Sequence, residues 1–160
     1  MKRMKYFLAI MVVIFLLSGL VFALPTYYKF TSLNYSSITA TTAWTKLVTT
    51  SGTHSFTTTT PGSVVEVHVN SNFMVGTLSG ANGVVFQVRV DDLAPYYETE
   101  GVIRTSNTTE FLSIFAAFPN LATGSHTVSL WARTYSGTAT SVLADPGGWN
   151  GAIIVKETMN

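Results

Sequence analysis

The sequence predicts an all-β protein: two antiparallel sheets, about eight strands in all, packed face to face as a jelly-roll-like β-sandwich. Three observations predict it. Apolar and polar residues alternate over several segments, as where Val128, Leu130 and Ala132 interleave with Thr127, Ser129, Trp131 and Arg133; period two marks a half-buried strand. Turn residues recur every ~8–12 residues, the spacing of sandwiches and barrels. Thr and Ser abound while charged residues make up only 11% of the chain, a composition suited to pleated surfaces. Frequent Val, Phe, Ile and Trp argue against disorder, which such residues oppose.

The chain opens with Lys2, Arg3 and Lys5, then an apolar run from Tyr6 to Leu17, a Ser18-Gly19 break, and Val21-Phe22-Ala23. Basic start, apolar centre and small or β-branched residues before the cut form a secretory signal, so residues 1–23 are expected to be removed after Ala23. The rival is a retained anchor, since Tyr6 to Ala23 is at the short end of a membrane span; the membrane would be a partner only through that uncleaved signal. Three of the nine Lys plus Arg leave with the signal, and the rest of the chain is slightly acidic against eight Asp plus Glu. Nucleic acid is excluded as a partner, because binding it takes clustered cations. There are no cysteines, so robustness must come from packing or from assembly with copies of the same chain.

Residues 24–42 form an aromatic segment without a turn signal strong enough to close a hairpin. It reads as an edge strand, as a loose terminus, or as an extended arm whose Tyr28, Phe30, Leu33 and Tyr35 add a strand to a neighbouring subunit. The sandwich domain is expected over residues 43–160. Its strands are Ala43–Thr50, Ser55–Thr58, Ser63–Asn70 with Phe73–Leu78 continuing or pairing, Val84–Asp91, Tyr96–Arg104, Phe111–Phe118, a segment ending at Arg133, and Ala152–Glu157. Turns fall at Ser51-Gly52, Pro61-Gly62, Gly80–Gly83, Ser106–Thr109, Ser136–Ala139 and Gly147-Gly148. Val65, Val67 and Val69 share one face, and Val84, Phe86, Val88 and Val90 share another, so these point into the core.

The run Gly124-Ser125-His126-Thr127-Val128-Ser129-Leu130, the Gly-containing turn after it and the final Ile-Val-Lys-Glu strand resemble the globular heads of secreted jelly-roll proteins of tumour-necrosis-factor and complement type. Val88-Arg89-Val90-Asp91-Asp92 is similar to their valine-aspartate-glycine hairpin strand, with Asp92 where Gly is common. The resemblance covers residues 55–157. It implies a jelly roll and a tendency to trimers or fibres, and nothing about an activity.

Candidate sites are few. Asp91, Asp92, Glu98 and Glu100 gather in ten residues and are the best candidate for calcium, which takes oxygen ligands from inter-strand loops; they lack a spaced Asp ladder, and the bland reading is a solvated loop. His54, His68 and His126 lie in different strands without thiols, and read as surface or loop histidines, not a zinc site. Trp44, Trp131 and Trp149 with Tyr96, Tyr97 and Tyr135 could line a sugar platform. Trp131 points outward beside Arg133, and an outward Trp marks a contact, a subunit interface before a sugar. Asn34 and Asn107 begin glycosylation triplets. Serines are plentiful, but no nucleophile-turn motif accompanies them, so an enzyme is not expected.

The expectation is a secreted structural protein of the cell surface, a homo-oligomer assembling with itself into a filament or fibre by strand exchange. The alternative is a secreted module, such as a trimeric head, that binds surface glycans or another surface ligand.

Overall fold

The computed structural model describes residues 26–31, 33–50, 52–146 and 151–158. The expected signal, Ser51, the Gly147-Gly148 turn and Trp149 lie outside the described residues. The described chain is built from strands Thr26–Thr31 (β1), Ile38–Ala40 (β2), Thr45–Lys46 (β3), His54–Thr58 (β4), Val64–Val75 (β5), Leu78–Ser79 (β6), Val84–Val90 (β7), Tyr97–Thr99 (β8), Gly101–Ile103 (β9), Thr108–Pro119 (β10), Gly124–Thr134 (β11), Thr138–Ala144 (β12) and Ala152–Thr158 (β13). They form an eight-stranded and a five-stranded antiparallel sheet. The all-β sandwich is therefore what the chain adopts.

In the larger sheet β5 is the axis. It pairs with β10 along its whole length, Val64 opposite Pro119 and Val75 opposite Thr108. On its other side β13 and then β12 follow one another. In the smaller sheet β7 lies between β11 and β9, and the far edge of β11 is shared by β3 and β4. The two inner faces meet in one core. Val65, Val67, Val69, Phe73 and Val75 of β5 face Val84, Phe86, Val88 and Val90 of β7 with Val128, Leu130 and Ala132 of β11, all buried. Phe73 and Phe86 touch across the sheets, ring centroids 4.6 Å apart, an aromatic contact worth ~0.5–1.5 kcal/mol beyond burial.

The structure departs from the expected strands where the chain bends. Residues 96–104 are two strands: β8 pairs with β10 in the large sheet and β9 with β7 in the small one. Gly101 begins the second, where an added Cβ would meet Leu112 Cδ1 at 2.8 Å and Ile114 Cδ1 at 3.0 Å, so a larger residue there would have to displace these two side chains. The segment Ser136–Ala139 does not simply turn into the last strand but enters β12. Ala43–Thr50 is reduced to the two-residue β3, while β5 runs unbroken through Val75.

The N-terminal arm belongs to its own sandwich. β1 runs antiparallel to β13 of the same chain, Tyr28 opposite Val155 and Phe30 opposite Ile153, and fills the edge that β13 would otherwise leave open. Leu33 and Tyr35 are buried core residues, and Tyr28 and Phe30 pack partly buried against that core. These four residues, expected to enter a neighbour, bury their side chains at home, and the sandwich begins before residue 43.

Candidate functional site

The outer face of the five-stranded sheet carries the most organised set of side chains in the described structure. Alternation dictates its members: with Val88, Leu130 and Ala132 inward, Gln87, Arg89, Ser129, Trp131 and Arg133 must point out. Register then brings neighbours together. Trp131 stands opposite Gln87 on one side and Lys46 on the other. The Arg89 guanidinium lies over the Trp131 ring, 4.3 Å from its centroid, and 5.2 Å from that of Trp44. Arg133 sits 5.0 Å from the Trp44 ring and 5.8 Å from Tyr135, and Arg104 reaches the same Tyr135 ring at 5.6 Å. Cations and ring faces thus alternate as Trp131, Arg89, Trp44, Arg133, Tyr135, Arg104, each contact favoured by the ring quadrupole. Trp131 does point outward, half-buried, as its alternation predicts.

Two hydrogen-bond chains brace this strip. Arg89 Nε donates to Gln87 Oε1 at 2.7 Å, and Gln87 Nε2 donates to Glu98 Oε1 at 2.9 Å. Trp131 Nε1 donates to Ser129 Oγ at 2.9 Å, Ser129 Oγ donates to Asp92 Oδ1 at 3.0 Å, and Lys46 Nζ closes on the same Asp92 oxygen at 2.6 Å. The hydrogen bond from Lys46 is the chief reason the Asp92 carboxyl titrates below its ordinary value, against some burial. Glu98 titrates above its ordinary value because burial disfavours its charge more than the Gln87 amide favours it. Burial also lowers the Arg89 pKa, countered by Asp92 and Glu98.

Beside Lys46 the edge of β11 has a gap, where β3 has ended and β4 has not begun. A half-open cleft of about 220 Å³ occupies it, lined by Tyr35, Lys46, Thr49, Thr53, His54 and Ser129 among others. Lys46 and Ser129 belong to both features, so the strip runs into the cleft. At its side the Tyr35 hydroxyl lies 3.3 Å from His54 Nδ1. Burial raises the Tyr35 phenol and lowers the His54 imidazole, and both effects keep the pair neutral.

The other expected site residues lie apart. Asp91, Asp92, Glu98 and Glu100 do not converge as calcium ligands. Asp91 accepts from Thr127 N at 2.9 Å and pairs with His126 Nδ1 at 2.7 Å, Asp92 holds Lys46 and Ser129, and Glu98 holds Gln87. Asp91 and Asp92 occupy the turn after β7 with left-handed φ of 51° and 61°. Among the described residues no three His, Asp or Glu are placed to share a metal. Two of the histidines are buried, not on the surface. His126 directs Nε2 at the Ala122 carbonyl at 2.8 Å and Nδ1 at Asp91. The Thr58 hydroxyl also lies 3.0 Å from Nε2, and the Asp91 carboxylate and Ala122 carbonyl, both acceptors, favour the protonated ring. Burial opposes that charge, but these bonds outweigh it and raise the His126 pKa. Of the third, His68 lies exposed against the Phe115 ring at 4.9 Å.

Tyr96 and Tyr97 pack edge to face at 4.6 Å, strongly exposed, and have no ring contact with the strip. Asn34 and Asn107 stand exposed in left-handed turns, φ 41° and 53°. Sequence reading singled out the tryptophans but missed the arginines between them. Their signal was present: Arg89 and Arg133 occupy outward positions of two alternating segments.

No family model matches the sequence, and no curated protein does. A solved structure described as the EclA C-terminal domain, a sugar-binding protein, superposes with a TM-score of 0.34 and 12% identity, over 87% of this chain and 81% of that one. It is a distant structural match, and the ligand of this chain must be argued from its own site.

Proposed function

We propose that this chain is an exported, non-catalytic β-sandwich module that binds carbohydrate at the extracellular surface, using the outer face of the five-stranded sheet. The observation that carries the reading is the interleaving of Trp44, Trp131 and Tyr135 with Arg89 and Arg133 on one sheet face. Aromatic surface takes the apolar C–H faces of sugar rings, and a few fixed polar groups then orient the hydroxyls. Asp92 and Glu98 supply acceptors, each bonded through a single oxygen. The 220 Å³ cleft is smaller than the ~300–1,000 Å³ of a drug-sized pocket, which suits one sugar unit or branch. The basic, apolar leader supports export.

A homo-oligomer is the second reading, favoured by the same residue types, since Trp, Tyr and Arg anchor protein interfaces. Filament growth by exchange of β1 finds less support, because β1 already satisfies β13 of its own chain. Affinity electrophoresis of the mature protein through gels containing polysaccharides tests the first reading, with sedimentation velocity alongside. Retardation by at least one polysaccharide, lost in Trp44→Ala with the fold intact, is expected of a monomer. A protein that no polysaccharide retards, and that sediments as an oligomer dispersed by Trp44→Ala, would establish the second.

A further inference from the structure

We infer that the Tyr135 corner of this face is an anion subsite, so that the preferred ligand is an acidic oligosaccharide whose uronic acid carboxylate is held by Arg133 and Arg104. The inference rests on the carbohydrate reading above and specifies its ligand.

Charge distribution is the first ground. Every arginine beyond the leader, Arg89, Arg104 and Arg133, lies on or at the rim of this one face together with Lys46; the other cations of the mature chain are Lys29 and Lys156. Local pairing is the second. Lys46 is neutralised by Asp92 at 2.6 Å, and Arg89 is tied through Gln87 to Glu98. Arg104 and Arg133 have no such partner: among the described residues no carboxylate comes within ion-pairing distance of either. Glu98 feels the charge of Arg133, but its hydrogen bond is made to Gln87. Two like charges therefore converge on a single tyrosine ring, an arrangement that costs free energy until an anion joins them.

The third ground is an unsatisfied donor. Arg133 Nε is buried with no hydrogen-bond partner among the described residues, and a buried donor left unpaired costs free energy that an acceptor would recover. Trp44 and Tyr135 contact the Arg133 guanidinium. A guanidinium held against rings keeps its in-plane N–H groups for an acceptor, and its fork matches a carboxylate in a bidentate pair. Arg104 is anchored by Nη1 donating to the Asn82 carbonyl at 3.2 Å, leaving its charge at the rim. A sugar stacked on the aromatic strip would place a ring carboxylate on this pair.

Calorimetric titration of the mature protein at low salt, with an oligogalacturonate and its fully methyl-esterified form, tests the proposal, because esterification removes the charge and keeps the sugar skeleton, adding one methyl per residue. The acid is expected to bind about tenfold more tightly, as a charge-assisted hydrogen bond would give. Arg133→Gln and Arg104→Gln should each bring the two affinities together, weakening the acid more than the ester. Lys29→Gln, a cation elsewhere, should leave the preference intact. Arg104 is exposed, so its variant keeps the test open if Arg133→Gln misfolds. Equal binding of acid and ester would overturn the anion subsite while the carbohydrate reading stands. Failure of both to bind, with neutral glycans also inert, would overturn the carbohydrate reading itself. Tighter binding of a sulfated neutral oligosaccharide than of the uronate would overturn the carboxylate assignment.

Discussion

The two outer faces of the sandwich treat their charges differently. On the eight-stranded sheet, polar side chains settle in local pairs: Glu66 with Lys156 at 3.5 Å, Ser113 with Asn70 at 2.7 Å, His68 against Phe115. On the five-stranded sheet they join into one continuous strip, and two arginines at its end remain without a counter-ion among the described residues. The first face carries these pairs beside exposed rings that stand apart, Tyr27, Tyr97 and Phe111. The second has organised donors, ring faces and net local charge, the features on which the proposed carbohydrate reading rests. Sheet chemistry is the same on both; the difference lies in which residues the register sets side by side.

Both faces rest on one core, and the largest effect should come from there. Phe86→Ala removes a fully buried ring that touches Phe73 and should cost ~3–5 kcal/mol in urea unfolding. Leu130→Ala should fall in the range of ~2–5 kcal/mol. Both variants, where folded, should keep their sugar affinity, which would separate the core's role from that of either face.

A direct break of the comparison is a pair of aromatic truncations, one on each face. Trp131→Ala should weaken glycan binding by about tenfold or more, as loss of a stacked aromatic anchor does. Phe115→Ala on the other face should leave affinity unchanged. Equal losses would mean that both faces, or neither, bind.

A smaller effect is expected at the hairpin that borders the strip. The His126–Asp91 pair holds the turn after β7 to β11. Because the folded state raises the His126 pKa above 6.5, the stabilisation is complete below the unfolded value near 6.5 and fades as pH rises through the folded one. Asp91, held low once burial is outweighed by the His126 and Thr127 bonds, contributes above its ordinary value and loses that contribution as pH falls through the folded one. Thermal melts should therefore decline as pH rises above about 6.5, and His126→Gln should flatten that decline. A wild-type slope retained in the variant would assign it to another group.

The inner faces were legible in the sequence because burial enforces strict alternation. Val65, Val67, Val69, Val88, Val90 and Leu130 are all buried as the period demands. β12 was not legible, and its backbone shows why. Its pairing with β2 shifts register between Ala139 and Val142, and Ser141 has φ 50°; a bulge breaks the period on which the reading depends. The arm was ambiguous because its alternation fits any open edge, and only the three-dimensional position of β13 decides which one it fills. The buried histidines were missed because Asp91, which holds His126, and Tyr35, which holds His54, come from other parts of the fold. Trp131 was found as an outward residue, but its setting among Arg89 and Trp44 comes from other strands and loops, which alternation along one strand does not reveal.

The central claim is that sugar binds the outer face of the five-stranded sheet. It is tested most directly by two-dimensional proton–nitrogen NMR during titration with an oligosaccharide that the protein binds. The indole Nε1–H signals of Trp44 and Trp131 and the Nε–H signals of Arg89 and Arg133 should shift together and saturate at one affinity, while the backbone amides of Ser113 and Phe115 on the opposite face stay in place. Shifts centred on Ser113 and Phe115, with both indoles unmoved, would contradict the account.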